Sequence, residues 1–228
     1  MDVVNAIRAR SARGGCRCPR VPLCLLALLA ACAYPPAPGG GGSAAPPVPK
    51  VVERYPWMAD IRWPAGEPRP SDAEELAIAG DIDQLLTGDF DIYPVAARRL
   101  IRRGGTVLPC LGQAAERNPA PAARRERIAI VLGPVLRDLP EDKMLGALSS
   151  PYAVVRAAAA GAVGERLLKP FGPRLVALLE DKDIRVRRAA IMSLRMLTGE
   201  FLEYRADDSP AERAAAAARW DESWQRRQ

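Results

Sequence analysis

LGALSSPYAVVRAAA (residues 145–159) and VALLEDKDIRVRRAA (residues 176–190) are the two stretches that decide the fold. Laid on each other at an offset of 31 residues, they place Leu148 on Leu179, Val155 on Val186, Arg156 on Arg187 and Ala158 on Ala189 without a gap. A period in this range marks one supersecondary unit copied along the chain. Within each copy the apolar residues recur at helical spacing, as in Leu175, Leu178 and Leu179, then Val186, Ala189, Ala190 and Leu194. Alternation of the kind that builds strands is missing.

Working outward, the same order of leucine pair, acidic turn, small-residue helix and glycine occurs earlier in Leu85, Leu86, Asp89, Asp91, Val95, Ala97, Leu100 and Gly104. A fainter copy holds Arg127, Ala129 and Leu132. Ser71 with Glu74, and Ser209 with Glu212, have the capping-box spacing, and Ser150-Pro151 reads as a cap followed by proline at the first helical position. Gly104 and Gly199 are expected to stop helices. A helical hairpin of some 30 residues cannot bury both faces alone, so small side chains such as Ala157 to Ala160 let the neighbouring hairpin close in and share a core.

The pattern resembles the HEAT-repeat family in its short bacterial form. The resemblance implies an all-α protein, an α-solenoid of stacked antiparallel helical hairpins over residues 71–228 with a C-terminal capping helix. It also implies that Asp181 and Arg187 are the turn acid and second-helix arginine of a ladder between repeats, with Arg156 the matching arginine one unit earlier. Ser150 stands where that earlier unit's acid should be, and Val95 where the first unit's arginine should be, so the ladder is expected to be broken. Trp220 and Trp224 share a helix face and are read as the cover of the last hairpin.

Ahead of the repeats the chain changes character three times. Residues 1–31 carry Arg8, Arg10, Arg13, Arg17 and Arg20, then a leucine- and alanine-rich run from Val21 to Ala33. That run is shorter than the roughly 20 apolar residues needed to span a bilayer, so it reads as a signal peptide. Leu29, Ala30 and Ala31 before Cys32 resemble a lipobox, which implies lipidation of Cys32 and a lipid-anchored protein of the bacterial cell envelope, on the periplasmic face of the outer membrane if there are two membranes. The other reading is an ordinary secretory signal. Residues 32–50, with Pro-Pro, four glycines and Pro-Pro-Val-Pro, form a flexible tether. Residues 51–70 set Tyr55, Trp57 and Trp63 among prolines, either as a strap covering the end of the domain or as an aromatic contact strip for a glycan or peptide.

Charge and chemistry narrow the function. The chain has 33 basic and 27 acidic residues, and removal of the leader leaves 28 and 26, too even for a nucleic-acid partner. It contains no histidine, which removes the commonest general base and metal ligand. Neither a phosphate-binding glycine loop nor metal-ligand spacing is found, so no catalytic residue, metal, cofactor or small-molecule substrate is expected. Asp81, Asp83, Asp89 and Asp91 read as solvated turn acids, and Cys110 as a small core residue. What remains is a surface for a protein partner. Arg98, Arg99, Arg102 and Arg103, with Arg124, Arg125 and Arg127, form either a basic groove for an acidic partner or an ordinary solvated face. The expected function is a non-catalytic, membrane-anchored scaffold. Alternatives are a cell-wall or glycan-binding protein using Tyr55, Trp57 and Trp63, or a lyase-like enzyme on the same repeats.

Overall fold

Every regular element of the computed structural model is helical among the described residues, which are 50–227 apart from Glu67, Phe90 and 118–121. Cys32, with Leu29, Ala30, Ala31 and the tether up to residue 49, lies outside them. The strap contains one helical turn, α1 (Val51–Arg54), and a 3-10 turn at Pro56–Asp60 before its prolines hold it extended. Four hairpins follow: α2 (Asp72–Thr87) with α3 (Tyr93–Arg102), α4 (Leu108–Glu116) with α5 (Ala122–Arg137), α6 (Glu141–Leu148) with α7 (Ala153–Glu165), and α8 (Gly172–Leu178) with α9 (Ile184–Thr198). A final helix, α10 (Pro210–Gln225), packs on α8.

The second helices stack in chain order, α3 on α5, α5 on α7 and α7 on α9, so the chain is an α-solenoid. Of the alanines predicted as spacers, Ala159 and Ala160 do that work, while Ala157 and Ala158 are only half-buried. Ala159, Ala160 and Ala190 are fully buried where α7 meets α9, and the Ser193 hydroxyl donates 2.7 Å to the Ala160 carbonyl across the same seam. The helix ends follow the local chemistry. Ser71 and Ser209 each close a capping box, and Gly199 ends α9 at φ 71°, a left-handed conformation that an L side chain resists.

The repeat is visible in hydrogen bonds as well as in letters. Arg156 donates to the carbonyls of Ser150 and Pro151, six and five residues before it, at 2.8 and 3.1 Å. Arg187 donates to those of Asp181 and Lys182 at the same two spacings, at 2.7 and 3.1 Å. Arg156, itself buried, also forks onto Asp181 of the following hairpin, at 2.8 and 2.9 Å, with 9% of each side chain exposed. That is one rung of the ladder. Arg187 has no acid in this position and donates instead to the Ala206 carbonyl at 2.8 Å.

Residues 199–209 pass over the end of the last hairpin, burying Tyr204 and Ala206 and bonding the Tyr204 hydroxyl to the Leu179 carbonyl. The inner face of α10 then buries Trp220 completely and Trp224 nearly so. Gly172 is the contact point: a Cβ there would lie 1.9 Å from the Trp224 ring.

Two expectations need correction. Ser150 is not the cap of α7, which begins at Ala153 with Tyr152 before it. Its hydroxyl accepts the Tyr152 N–H at 3.3 Å in a short side-chain turn. Asp81 and Asp83 are not turn acids either, because α2 runs on to Thr87. Asp81 is buried against α3, where it accepts from Arg99 at 2.7 Å and from Arg103 at 3.3 Å, while Asp83 stays exposed.

Candidate functional site: a strap-walled groove and an arginine face

Proline-rich chain cannot satisfy itself through a ladder, so the strap is held by side chains. Trp57, Met58 and Ile61 are buried, and Tyr55 is half-buried, with its hydroxyl against Gly80. Past Ile61 the anchor is Tyr152, at the turn between α6 and α7. Its hydroxyl accepts the Arg62 N–H at 2.7 Å, and the Arg62 guanidinium lies over its ring, 5.2 Å from the centroid. Burial pushes the phenol above its ordinary pKa, so it stays protonated. Arg62 also reaches Glu116 at 3.5 Å, and Glu116 in turn accepts the Ala153 N–H at 3.1 Å, supplying from α4 the cap that α7 lacks locally. Further along, Arg69 lies over the Trp63 ring and forks onto the buried Glu75 of α2 at 2.5 and 3.1 Å.

These anchors leave a groove beneath the strap. α4 packs on α5 and α7 and α6 packs on α7, so the first helices of the second and third hairpins leave space between them. The resulting cavity is ≈ 630 Å³. Trp63, Pro64 and Pro68 form the strap wall, Leu108 and Pro109 the α4 wall, and Pro140, Lys143 and Ala147 the α6 wall. Of the three predicted aromatic contacts, Trp63 alone lines this groove. Trp57 borders a smaller hollow of ≈ 220 Å³ with Asp83, Arg117 and Arg124, and Arg117 covers its ring. Tyr55, Trp57 and Trp63 therefore do not present a continuous exposed strip.

The seven predicted arginines also divide. Arg99 and Arg103 hold Asp81, and Arg127 donates to the Leu85 and Gly88 carbonyls at the end of α2 while stacking on Tyr93. Those three are structural. Arg98, Arg102, Arg124 and Arg125 are exposed and make no hydrogen bond or ion pair among the described residues. Sequence reasoning missed Tyr152, Glu116 and Arg62, whose contacts bridge 90, 54 and 37 residues and have no local signature.

The site holds little that could do covalent chemistry. Cys110 is buried beside Pro109, and desolvation pushes its thiol up to about 12, which suppresses the reactive thiolate. No group of three or more Cys, Asp or Glu side chains that could hold a metal occurs among the described residues. Nor is any helix among them long and apolar enough to cross a membrane.

Residues 141–220 match the family of HEAT repeats. This part of the chain is a HEAT-repeat domain. The match covers α6 to α9 and reaches into α10, the region in which the 31-residue register and the Arg156–Asp181 rung occur. HEAT repeats generally mediate protein–protein interaction. No curated protein and no solved structure matches the chain.

Proposed function

We propose that the protein is a non-catalytic scaffold of the bacterial cell envelope, held to the membrane by lipid on Cys32, which binds an acidic protein partner across α3 and α5. The observation that carries this reading is the set Arg98, Arg102, Arg124 and Arg125, charged and exposed with no partner among the described residues, beside three arginines of the same helices that are committed internally. Exposed cations supply specificity and association rate to a complementary acidic surface. The HEAT-repeat segment supports the choice of a protein partner, since stacked hairpins offer extended surface and little reactive chemistry.

The test is crosslinking of the full-length protein in its native envelope. Replacing Arg98, Arg102, Arg124 and Arg125 with alanine is expected to remove the crosslinked partner while leaving the helical content unchanged, and raised salt should weaken the wild-type complex. Undiminished crosslinking by the folded variant rejects the arginine face. Cys32→Ser is expected to move the protein from the membrane to the soluble envelope fraction. Retention in the membrane fraction rejects the lipid anchor.

A further inference from the structure

The second helices leave a band of apolar surface open. Among the described residues Val95 of α3, Ile130 of α5, and Met192 and Met196 of α9 are exposed large apolar side chains, whereas the first helices of the hairpins contribute Leu145 alone. Between Ile130 and Met192 the band is low. Val154, Ala158 and Gly161 share one face of α7 and are all half-buried, and 31 residues on from the last two stand Ala189 and Met192 of α9.

Gly161 is the informative position. Gly112, Gly164 and Gly172 are pressed by Tyr152, Ser193 and Trp224, and Gly133 precedes Pro134, whose ring crowds a Cβ on the residue before it. A Cβ on Gly161 would meet nothing within 4 Å, and its φ is not left-handed, so no contact inside the chain requires the glycine. Glycine within a helix costs stability relative to alanine. What it offers in return is close approach from outside.

Charge and backbone chemistry select what approaches. Arg98 and Arg102 at the α3 end of the band, and Arg188 at the α9 end, are exposed and make no hydrogen bond or ion pair among the described residues. Arg137 and Glu165 pair with each other at 3.8 Å and Arg185 with Asp183 at 2.7 Å, which leaves Glu126 of α5 as the band's carboxylate without a cation. A second copy turned face to face would set cations against cations at both ends. An extended peptide would bring N–H and C=O groups to a floor of helices whose own backbone groups are already paired. A helix satisfies its backbone internally and presents side chains alone.

We infer that α3, α5, α7 and α9 together receive an amphipathic α-helix, laid across them with its apolar stripe on Ile130, Ala158, Gly161 and Met192 and with acidic residues at both ends, over Arg98 and Arg102 and over Arg188. The inference rests on the reading of an acidic protein partner and gives that partner its form. Four stacked helices span about 24–30 Å, the length of a helix of about 20 residues.

The experiment is fluorescence anisotropy of a labelled model helix of about 20 residues, with leucine along one face and glutamates at both ends, titrated with the full-length protein. Saturable binding is expected, with a counterpart carrying lysines at both ends weaker by about tenfold. That comparison needs no variant. Gly161→Trp should weaken the glutamate helix by about tenfold in a folded protein, and Gly161→Ala should raise the urea midpoint. The inference is overturned if the glutamate helix gives no saturable signal, if the two helices bind equally, or if folded Gly161→Trp binds as wild type does. A concentration-dependent dimer that Gly161→Trp abolishes would assign the band to a second copy and overturns it too. In the native envelope, a crosslinked partner lost from the four-arginine alanine variant but kept by Gly161→Trp removes the helix and leaves the acidic-partner reading standing. A partner kept by both variants removes that reading itself.

Discussion

The third and fourth hairpins and the first two are built from the same kind of helix, yet they are locked in different ways. In α6 to α9 the locking groups recur: Arg156 and Arg187 make the same pair of carbonyl contacts, and Arg156 reaches forward to Asp181. In α2 to α5 the locks are individual. Asp81 gathers two arginines inside one hairpin, Arg127 reaches back to the end of α2, and Glu116 reaches forward to α7. Regular locks need only neighbouring repeats, so they leave a periodic trace in the sequence, whereas individual locks free the other surfaces to diverge. The groove and the exposed arginines both belong to the irregular half or its border.

The largest test of this contrast is at the end of the regular half. Trp220→Ala removes a fully buried ring from the cap, and unfolding in urea should show a loss of about 3–5 kcal/mol. Hydrogen exchange then tells whether the halves are one cooperative unit. If α8 to α10 lose protection while α2 to α5 keep theirs, the array behaves as a chain of nearest-neighbour interfaces.

Next is the rung itself. Asp181→Ala leaves the buried Arg156 guanidinium without its carboxylate and should cost about 3 kcal/mol in the same measurement. Burial opposes the charged form of Asp181, but hydrogen bonds from Arg156 and the Asp183 N–H outweigh it and hold the carboxyl below its ordinary value of 3.8. The contribution is therefore complete above that pH and disappears as pH falls through the lower, folded-state pKa. Wild-type protein should lose stability there on acid titration, and Asp181→Ala should lose less. An identical acid profile for the two proteins would remove the rung from the comparison.

A smaller effect separates local from remote capping. Asp183→Ala removes the side chain that accepts the Arg185 N–H at the start of α9 and should cost about 1 kcal/mol by thermal melting. The equivalent helix, α7, has no such side chain and depends on Glu116, so Glu116→Ala should open the α7 start and loosen Arg62 of the strap together. The smallest change is Arg69→Lys. It keeps a cation beside the buried Glu75 carboxylate and removes only the forked geometry, so the melting temperature should barely move. Exchange at residues 62–69 should nevertheless rise, since this part of the strap is held less firmly to α2.

How much of this was legible follows from the range of each interaction. The hairpins, both capping boxes and the stop at Gly199 are written within a few residues and could be read directly. The covering role expected of Trp220 and Trp224 needed only their shared face and their place after the last repeat. Asp81 was misread because α2 runs further than the acidic cluster suggests, and its partners lie across the hairpin. The groove left almost no trace. Trp63 was singled out, but the opposite walls come from α4 and α6, and only tertiary contact puts them together. Arg99, Arg103 and Arg127 looked no different from Arg98 and Arg102 in a run of basic residues, because nothing local distinguishes a guanidinium that meets a buried carboxylate from one that meets water.

The carbonyl of Ala206 occupies, for Arg187, the place that Asp181 occupies for Arg156. The terminal segment thus mimics the opening turn of a hairpin that is not there, and the array is finished by imitation. A duplicated 31-residue module spliced in after residue 198 would meet a donor already aimed at its acid, and would hand the same unfilled valence to the unchanged cap behind it. The contact that closes the last repeat is consequently the same one that a further repeat would use, so the cap does not fix the length of the array.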